Sequence, residues 1–273
     1  PANSAPGRLL CTNNQGCGNN AAAQRAHDGA SKVYDYYKSK FNRDSLDNNG
    51  MTLVSSVDMG VSNAYWTGYQ MIYGEASNGL NDFTSDFDII GHELTHGVTS
   101  NTAGLIYANA SGALNEAWSD IFGVTSEAYK NGASSPSWYI GDELYNNQPG
   151  KAFRYMSNPT QDGQSKDWWP ERFPYTNNPN KDNDYGGVHL NSGIANLAFV
   201  LLVDGGTHPR NKSTAQVPGI GMVKAEQIFY RALITYMNQN TNFSGARTAT
   251  AQAAQDLYGA TEKFAVETAW CAV

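Results

Sequence analysis

Gly91-His92-Glu93-Leu94-Thr95-His96 is the stretch around which the rest of the chain organises. On a helix, His92 and His96 lie one turn apart on one face, so both imidazoles reach a single ion. Glu93 projects beside them, close enough to handle a metal-bound water without being a ligand. Three fixed residues match by chance in roughly one chain in a hundred of this length, so the pattern alone does not decide. A second segment changes the odds. Glu116 follows within Asn115-Glu116-Ala117-Trp118-Ser119-Asp120, on the next predicted helix. A helix, a turn and an antiparallel helix bring Glu116 back against the histidines as a third ligand. Asp120, four residues further on, shares its face and can hold the outer N–H of one ligating histidine, and Asn115 can hold the other. The plainer alternative is a solvated acidic face. Ala113, Leu114, Ala117 and Ile121 surround these acids, however, and acids among apolar residues are costly unless paired.

Outward from this segment, the character of the chain shifts. Residues 1–20 are rich in Asn, Gly and Pro and read as irregular. Ala26, Ala30, Val33, Tyr34, Tyr37 and Phe41 recur at helical spacing and predict a helix over 21–41. Short β-prone runs follow at Thr52-Leu53-Val54, Ala64-Tyr65-Trp66 and Met71-Ile72-Tyr73, separated by Gly60, Asn63 and Gly68. Helices are predicted over 86–100 and 111–130, then a loop-rich tract from Asn131 to Gly187. The last third is helical again. Ala225, Ile228, Phe229, Ala232, Leu233 and Tyr236 form one buried face of a helix over 223–237, with further helices over 244–257 and 261–270. The fold class is α+β, a β-containing first part followed by a helical second part.

Composition narrows the partners. The 273 residues include sixteen Tyr and six Trp, with 16% charged residues, the make-up of a packed globular protein. The 18 Lys and Arg against 25 Asp and Glu give a formal charge of −7 and a pI near 5.2. An acidic chain without a basic block is a poor partner for nucleic acid or anionic membrane. The longest unbroken apolar run, Leu197 to Val203, is far below a membrane span. The chain opens on Pro1 with no basic segment and apolar stretch behind it, which fits a processed mature form or a trimmed piece. Low Lys and abundant Asn, Ser and Thr fit an extracellular protein. Cys11 and Cys17 bracket a polar loop and are the easiest pair to close, leaving Cys271 over.

His92-Glu93-x-x-His96 followed by Asn115-Glu116-x-x-x-Asp120 resembles the thermolysin family of secreted bacterial neutral metalloproteases. Asn63-Ala64-Tyr65-Trp66, Thr102-Ala103-Gly104-Leu105-Ile106-Tyr107, Gly112-Ala113-Leu114-Asn115-Glu116, Gly186-Gly187-Val188-His189-Leu190-Asn191-Ser192-Gly193 and Phe229-Tyr230-Arg231-Ala232-Leu233 agree with that family in order and spacing. The similarity runs from about His27 to the end. The departure is at the front, where the family has a longer β-rich lobe. The resemblance implies a two-lobed metalloprotease: a short β-containing lobe over 1–100 that ends in the zinc helix, a helical lobe over 101–273, and a cleft between them.

Roles follow from the resemblance position by position. His92, His96 and Glu116 would bind one catalytic Zn²⁺, with Asn115 and Asp120 behind them, and Glu93 would serve as general base. Tyr107 and His189 would donate to the oxyanion, with Asp184 orienting the imidazole. Substrate would lie along the strand carrying Asn63, Ala64 and Trp66. Arg172 would hold the carbonyl next to the cut, and Ile89 and Ile140, helped by Phe83, would wall a pocket that favours bulky apolar residues after the scissile bond. Asp88 and Glu127 stand at calcium positions of related proteases. The loop that follows offers Asp142 but has Ser137 and Tyr139 where carboxylates are found in the family, so one Ca²⁺ is expected. The implied protein is a secreted, monomeric endopeptidase acting on protein and peptide substrates. The competing readings are an aminopeptidase, for which no acidic anchor for a substrate N-terminus is visible, and a zinc-stabilised binding module without activity.

Overall fold

A computed structural model of the chain describes residues 5–75, 79–146 and 148–273. Residues 1–4 of the expected irregular segment and residue 147 of the expected loop tract lie outside them. The first helix, α1 (Ala21–Phe41), begins where the Asn20 side chain accepts from Ala23 N at 2.8 Å and ends on Asn42 in the left-handed region. Ahead of it, Cys11 and Cys17 are joined at 2.05 Å and Cys271 is free and exposed, as expected.

Three short strands follow, β1 (Ser55–Ser56), β2 (Ala64–Trp66) and β3 (Met71–Tyr73). They pair in the order β1-β3-β2, with β1 parallel and β2 antiparallel to β3. The run Thr52-Leu53-Val54 is not a strand. Val54 lends its carbonyl to Met71 N at 2.9 Å, and the ladder itself is taken by Ser55 and Ser56, opposite Met71 and Ile72. β2 is therefore an edge strand with one row of backbone groups unpaired within the sheet.

The core is helical. α2 (Phe87–Ser100) packs against α3 (Asn109–Asn131), and α3 against α4 (Asp184–Asp204). Trp118, Phe122, Phe199 and Phe229 are fully buried among them. Between α3 and α4 the loop tract holds only a two-stranded ladder, β4 (Tyr139–Ile140) with β5 (Arg154–Tyr155), and single helical turns. The 24 residues Lys181–Asp204 are long and apolar enough by composition to span a bilayer, a length that unbroken apolar runs do not register. In the apolar window, 89% is buried inside the protein, so α4 is read as a central core helix, apolar all round.

The chain closes with α5 (Met222–Arg231), α6 (Phe243–Leu257) and α7 (Ala260–Ala272). The helix expected over 223–237 changes pitch at Ala232 and finishes as a π turn over Ala232–Tyr236. The wider turn rotates the periodic face, which is why Tyr236, expected to be buried with Leu233, is exposed.

Candidate metal and active site

Two glycines let the site form. A Cβ on Gly91 would stand 2.5 Å from Ser126 Oγ and 3.0 Å from Gly123 Cα, and one on Gly123 would stand 2.7 Å from the Asp88 carbonyl. α2 and α3 thus touch backbone to backbone one residue before His92, and the acids of α3 come within reach of the histidines of α2.

The expected triad converges. The Nε2 atoms of His92 and His96 are 3.0 Å apart. Glu116 presents Oε2 to His92 Nε2 and Oε1 to His96 Nε2, each at 3.4 Å. Their outer nitrogens are taken: His92 Nδ1 lies 2.8 Å from Asp120 Oδ1, and His96 Nδ1 lies 2.7 Å from Asn115 Oδ1. Asp120 and the Asn115 carbonyl accept, so each imidazole keeps its proton on Nδ1 and turns a lone pair inward. Two ring nitrogens facing at 3.0 Å beside a buried carboxylate call for positive charge between them, a proton or a metal ion. Glu116 Oε2, buried and without a hydrogen bond, points the same way. The donor set of two imidazoles and one carboxylate fits Zn²⁺ with a position left open.

Electrostatics agree. Burial disfavours a charged His92, but Asp120 and Glu116 outweigh it and push its pKa up to about 10 in the metal-free chain, so proton and metal compete for Nε2. Burial would raise Glu116, yet His189, His96 and His92 hold it well below the usual carboxylate range. Asp120 is likewise buried but depressed, chiefly by Arg154. Glu93, on the next position of α2, is raised by burial, partly offset by His92 and His96. A raised carboxylate with one unbonded buried oxygen, Oε2, is a stronger base than an ordinary exposed one.

Arg154 is the arginine that reaches the buried acids of α3. It forks onto Asp120, Nε to Oδ2 at 2.9 Å and Nη2 to Oδ1 at 2.5 Å, and its charge bears on Glu116 and Glu93. Arg172, to which the resemblance gave that place, is exposed. It stacks on Trp169 at 4.0 Å and lines a cavity of about 510 Å³ with Trp169, Phe173 and Tyr175. Asn196 of α4, which no spacing in the sequence links to the site, donates to Asp120 Oδ2 at 2.8 Å.

Tyr107 and His189 close the other side. The Tyr107 hydroxyl donates to Glu116 Oε1 at 2.5 Å and lies 3.2 Å from His189 Nε2. Asp184 straddles His189, with Oδ1 2.5 Å from Nδ1 and Oδ2 accepting from the backbone N–H at 2.8 Å. Glu116 and Asp184 raise the His189 pKa against burial, although the side chain is 45% exposed. The backbone that delivers this pair is left-handed for four residues, with φ of 52°, 51°, 87° and 76° at Asp184, Tyr185, Gly186 and Gly187. Glycine is needed at the last two, since a Cβ would strike Asn109 Oδ1 at Gly186 and the Phe173 ring at Gly187. At Asp184 and Tyr185 the conformation costs roughly 1–2 kcal/mol each.

Of the other predicted positions, Ala64 and Trp66 lie on edge strand β2, with exposed Asn63 just before it. Ile89, Ile140 and Phe83 are buried, Phe83 stacked on Phe153 at 6.1 Å. A second acidic group lies at the start of α2. Asp88, wholly buried, accepts Gly141 N on both oxygens at 3.1 Å. Asp86, Asp88 and Asp142 bring one oxygen each within 4.8 Å of the others. Asp86 was not among the expected calcium residues. It caps the helix and accepts Glu143 N at 2.8 Å. Glu127 stands beside this trio rather than in it, and burial, Asp86 and Glu143 push its pKa up to about 7.

Comparison with known proteins agrees with this geometry. Residues 3–100 match the family described as thermolysin metallopeptidase, catalytic domain, and residues 103–273 match its alpha-helical domain. Bacillolysin of Bacillus cereus is 46% identical over 93% of this chain and 44% of its own length. Thermolysin of Alicyclobacillus acidocaldarius is 45% identical over 89% of this chain and 43% of its own. The chain thus spans less than half the length of these two relatives. The precursor of protealysin, a metalloproteinase from Serratia proteamaculans, superposes with a TM-score of 0.83 at 31% identity, over 98% of this chain and 83% of that one. Matched along nearly its whole length, the chain belongs to the thermolysin family of metallopeptidases.

Proposed function

We propose that the chain is a zinc-dependent endopeptidase, with its cleft between a lobe that ends near residue 100 and the helical remainder. The observation that carries this reading is the inward-facing pair of Nε2 atoms, 3.0 Å apart, with the buried Glu116 across from them and Glu93 beside them. His92, His96 and Glu116 would hold a Zn²⁺, whose chemistry there would be to acidify a water and polarise the peptide carbonyl. Glu93 receives the proton of the attacking water and passes it to the leaving amine. Tyr107 and His189 donate to the oxygen that gains charge, and Asp184 keeps the His189 imidazole aimed and charged. The substrate backbone adds to the open edge of β2. Arg154, not Arg172, takes the carbonyl beyond the cut, and Ile89, Ile140 and Phe83 favour a bulky apolar residue there.

The Cys11–Cys17 disulfide fits an oxidising, extracellular setting. A single Ca²⁺ at Asp86, Asp88 and Asp142, with Glu127 alongside, is the second ion of this reading, because these three acids bring one oxygen each within 4.8 Å of the others.

Casein hydrolysis tests the function. Activity should be abolished by 1,10-phenanthroline and return on adding zinc; activity that survives full removal of zinc overturns the reading. The imidazole supports are tested by Asn115→Ala. Loss of the Oδ1 acceptor frees His96 to exchange its tautomer, and zinc affinity should fall about 10–100-fold, measured by competition with a chromogenic chelator. Unchanged affinity would show that Ser119, whose Oγ lies 3.1 Å from the same Nδ1, suffices.

A further inference from the structure

Tyr185 sits where its side chain has least reason to be. Its backbone is left-handed, φ 51° and ψ 31°, a region that suits Gly, Asn or Asp and makes a bulky residue an outlier. It is the second of four consecutive residues in that region, pinned by its own N–H on Asn180 O at 2.7 Å. Its phenol makes no hydrogen bond among the described residues; its ring meets that of Tyr107, edge-on at 5.6 Å.

That contact bears on Tyr107. Its ring has three edge-on neighbours, Tyr185, His96 at 6.0 Å and His189 at 6.3 Å. The two histidines belong to the proposed chemistry, and among the described residues the Tyr107 hydroxyl has only Glu116 and His189 as partners. Every polar anchor of Tyr107 is thus a group whose bonding changes as the reaction proceeds. Tyr185 is the nearest ring and the one with no chemical task.

We propose that Tyr185 is a positioning residue, retained in a strained backbone because its ring fixes Tyr107 in the orientation from which it donates. This rests on the role given to Tyr107 above.

The test uses the full, zinc-loaded chain, with kcat, KM, zinc content and Tm measured for Tyr185→Asn, Tyr185→Phe and both combined with Tyr107→Phe. Asn relieves the backbone and removes the ring. Its Tm should rise while kcat falls about tenfold, with KM and zinc content held. Phe restores most of kcat, since it keeps the ring. In the Tyr107→Phe background, Tyr185→Asn should cost nothing further. An active wild type with kcat unchanged in Tyr185→Asn overturns the proposal, as does an equal loss in the Tyr107→Phe background or a loss of activity that follows a fallen Tm. A zinc-loaded wild type that hydrolyses no peptide overturns the role of Tyr107, and this one with it.

Discussion

Glu93→Gln keeps its zinc and loses about 10²–10⁴-fold in kcat. The substitution is nearly isosteric and leaves both imidazoles and Glu116 in place, so atomic absorption should find one zinc per chain, as in the wild type. What disappears is the basic oxygen. Glu93 is buried, with its Oε2 unbonded and its pKa raised by that burial; an amide in its place cannot accept the proton. KM should move little, because the loss falls on the transition state, and Tm should hold or rise as a buried charge is removed. His92→Ala behaves oppositely, losing the metal along with activity. Equal zinc loss in both variants would show that Glu93 is itself a ligand.

The second large effect is on stability. In a calcium chelator, Tm should fall as pH rises from about 4.5 to about 7, and millimolar calcium should reverse that slope. Burial raises Asp88 well above its usual value, helped by Asp86 and Glu127, and Asp142 and Glu143 are raised as well. Glu127 moves from 4.5 to about 7. A carboxylate raised in the folded state contributes stability that is complete below its unfolded pKa and lost as pH climbs through the folded one. For Glu127 alone the loss is about 3 kcal/mol. A bound cation inverts the sign, because the ionised forms then hold it, and it adds about 2.7 kcal/mol at a hundredfold excess over Kd. Differential scanning calorimetry with and without calcium, zinc retained, reads both slopes. A Tm indifferent to calcium at neutral pH would sink the calcium assignment, and a titration showing two tight ions would sink the single site.

What the sequence exposes and what it hides divide along physical lines. His92, Glu93, His96, Asn115, Glu116 and Asp120 are readable because each helix places its own residues: spacings of three and four fix the face, and one antiparallel packing brings the faces together. α1, with its named apolar stripe, is found to its end residues. Arg154 is hidden. It stands on a two-residue strand in a tract of Asn, Pro and Gly, where no periodicity says which way a side chain faces, and only the pairing with β4 directs it to Asp120. Arg172, in the same tract, is the arginine to which the resemblance points. Asp86 was missed because a helix cap is a complete explanation for an Asp at that position; its second oxygen, on Glu143 N, is visible only in three dimensions. Tyr185 carries no sequence signal, since its oddity is a dihedral angle.

The contact between Gly91 and Gly123 has a consequence for how the site keeps its dimensions. Where helices meet through side chains, the gap between them drifts as rotamers exchange, and a substitution on one can be absorbed by a neighbour's adjustment. Here the spacing between the helix that brings two imidazoles and the helix that brings the carboxylate is fixed by main chain lying on main chain. Apart from the Ser126 hydroxyl, nothing at that contact can rotate, shrink or be re-optimised. It serves as a datum surface from which the coordination geometry is measured off, and even one added methyl group would have to be accommodated by moving the ligands themselves.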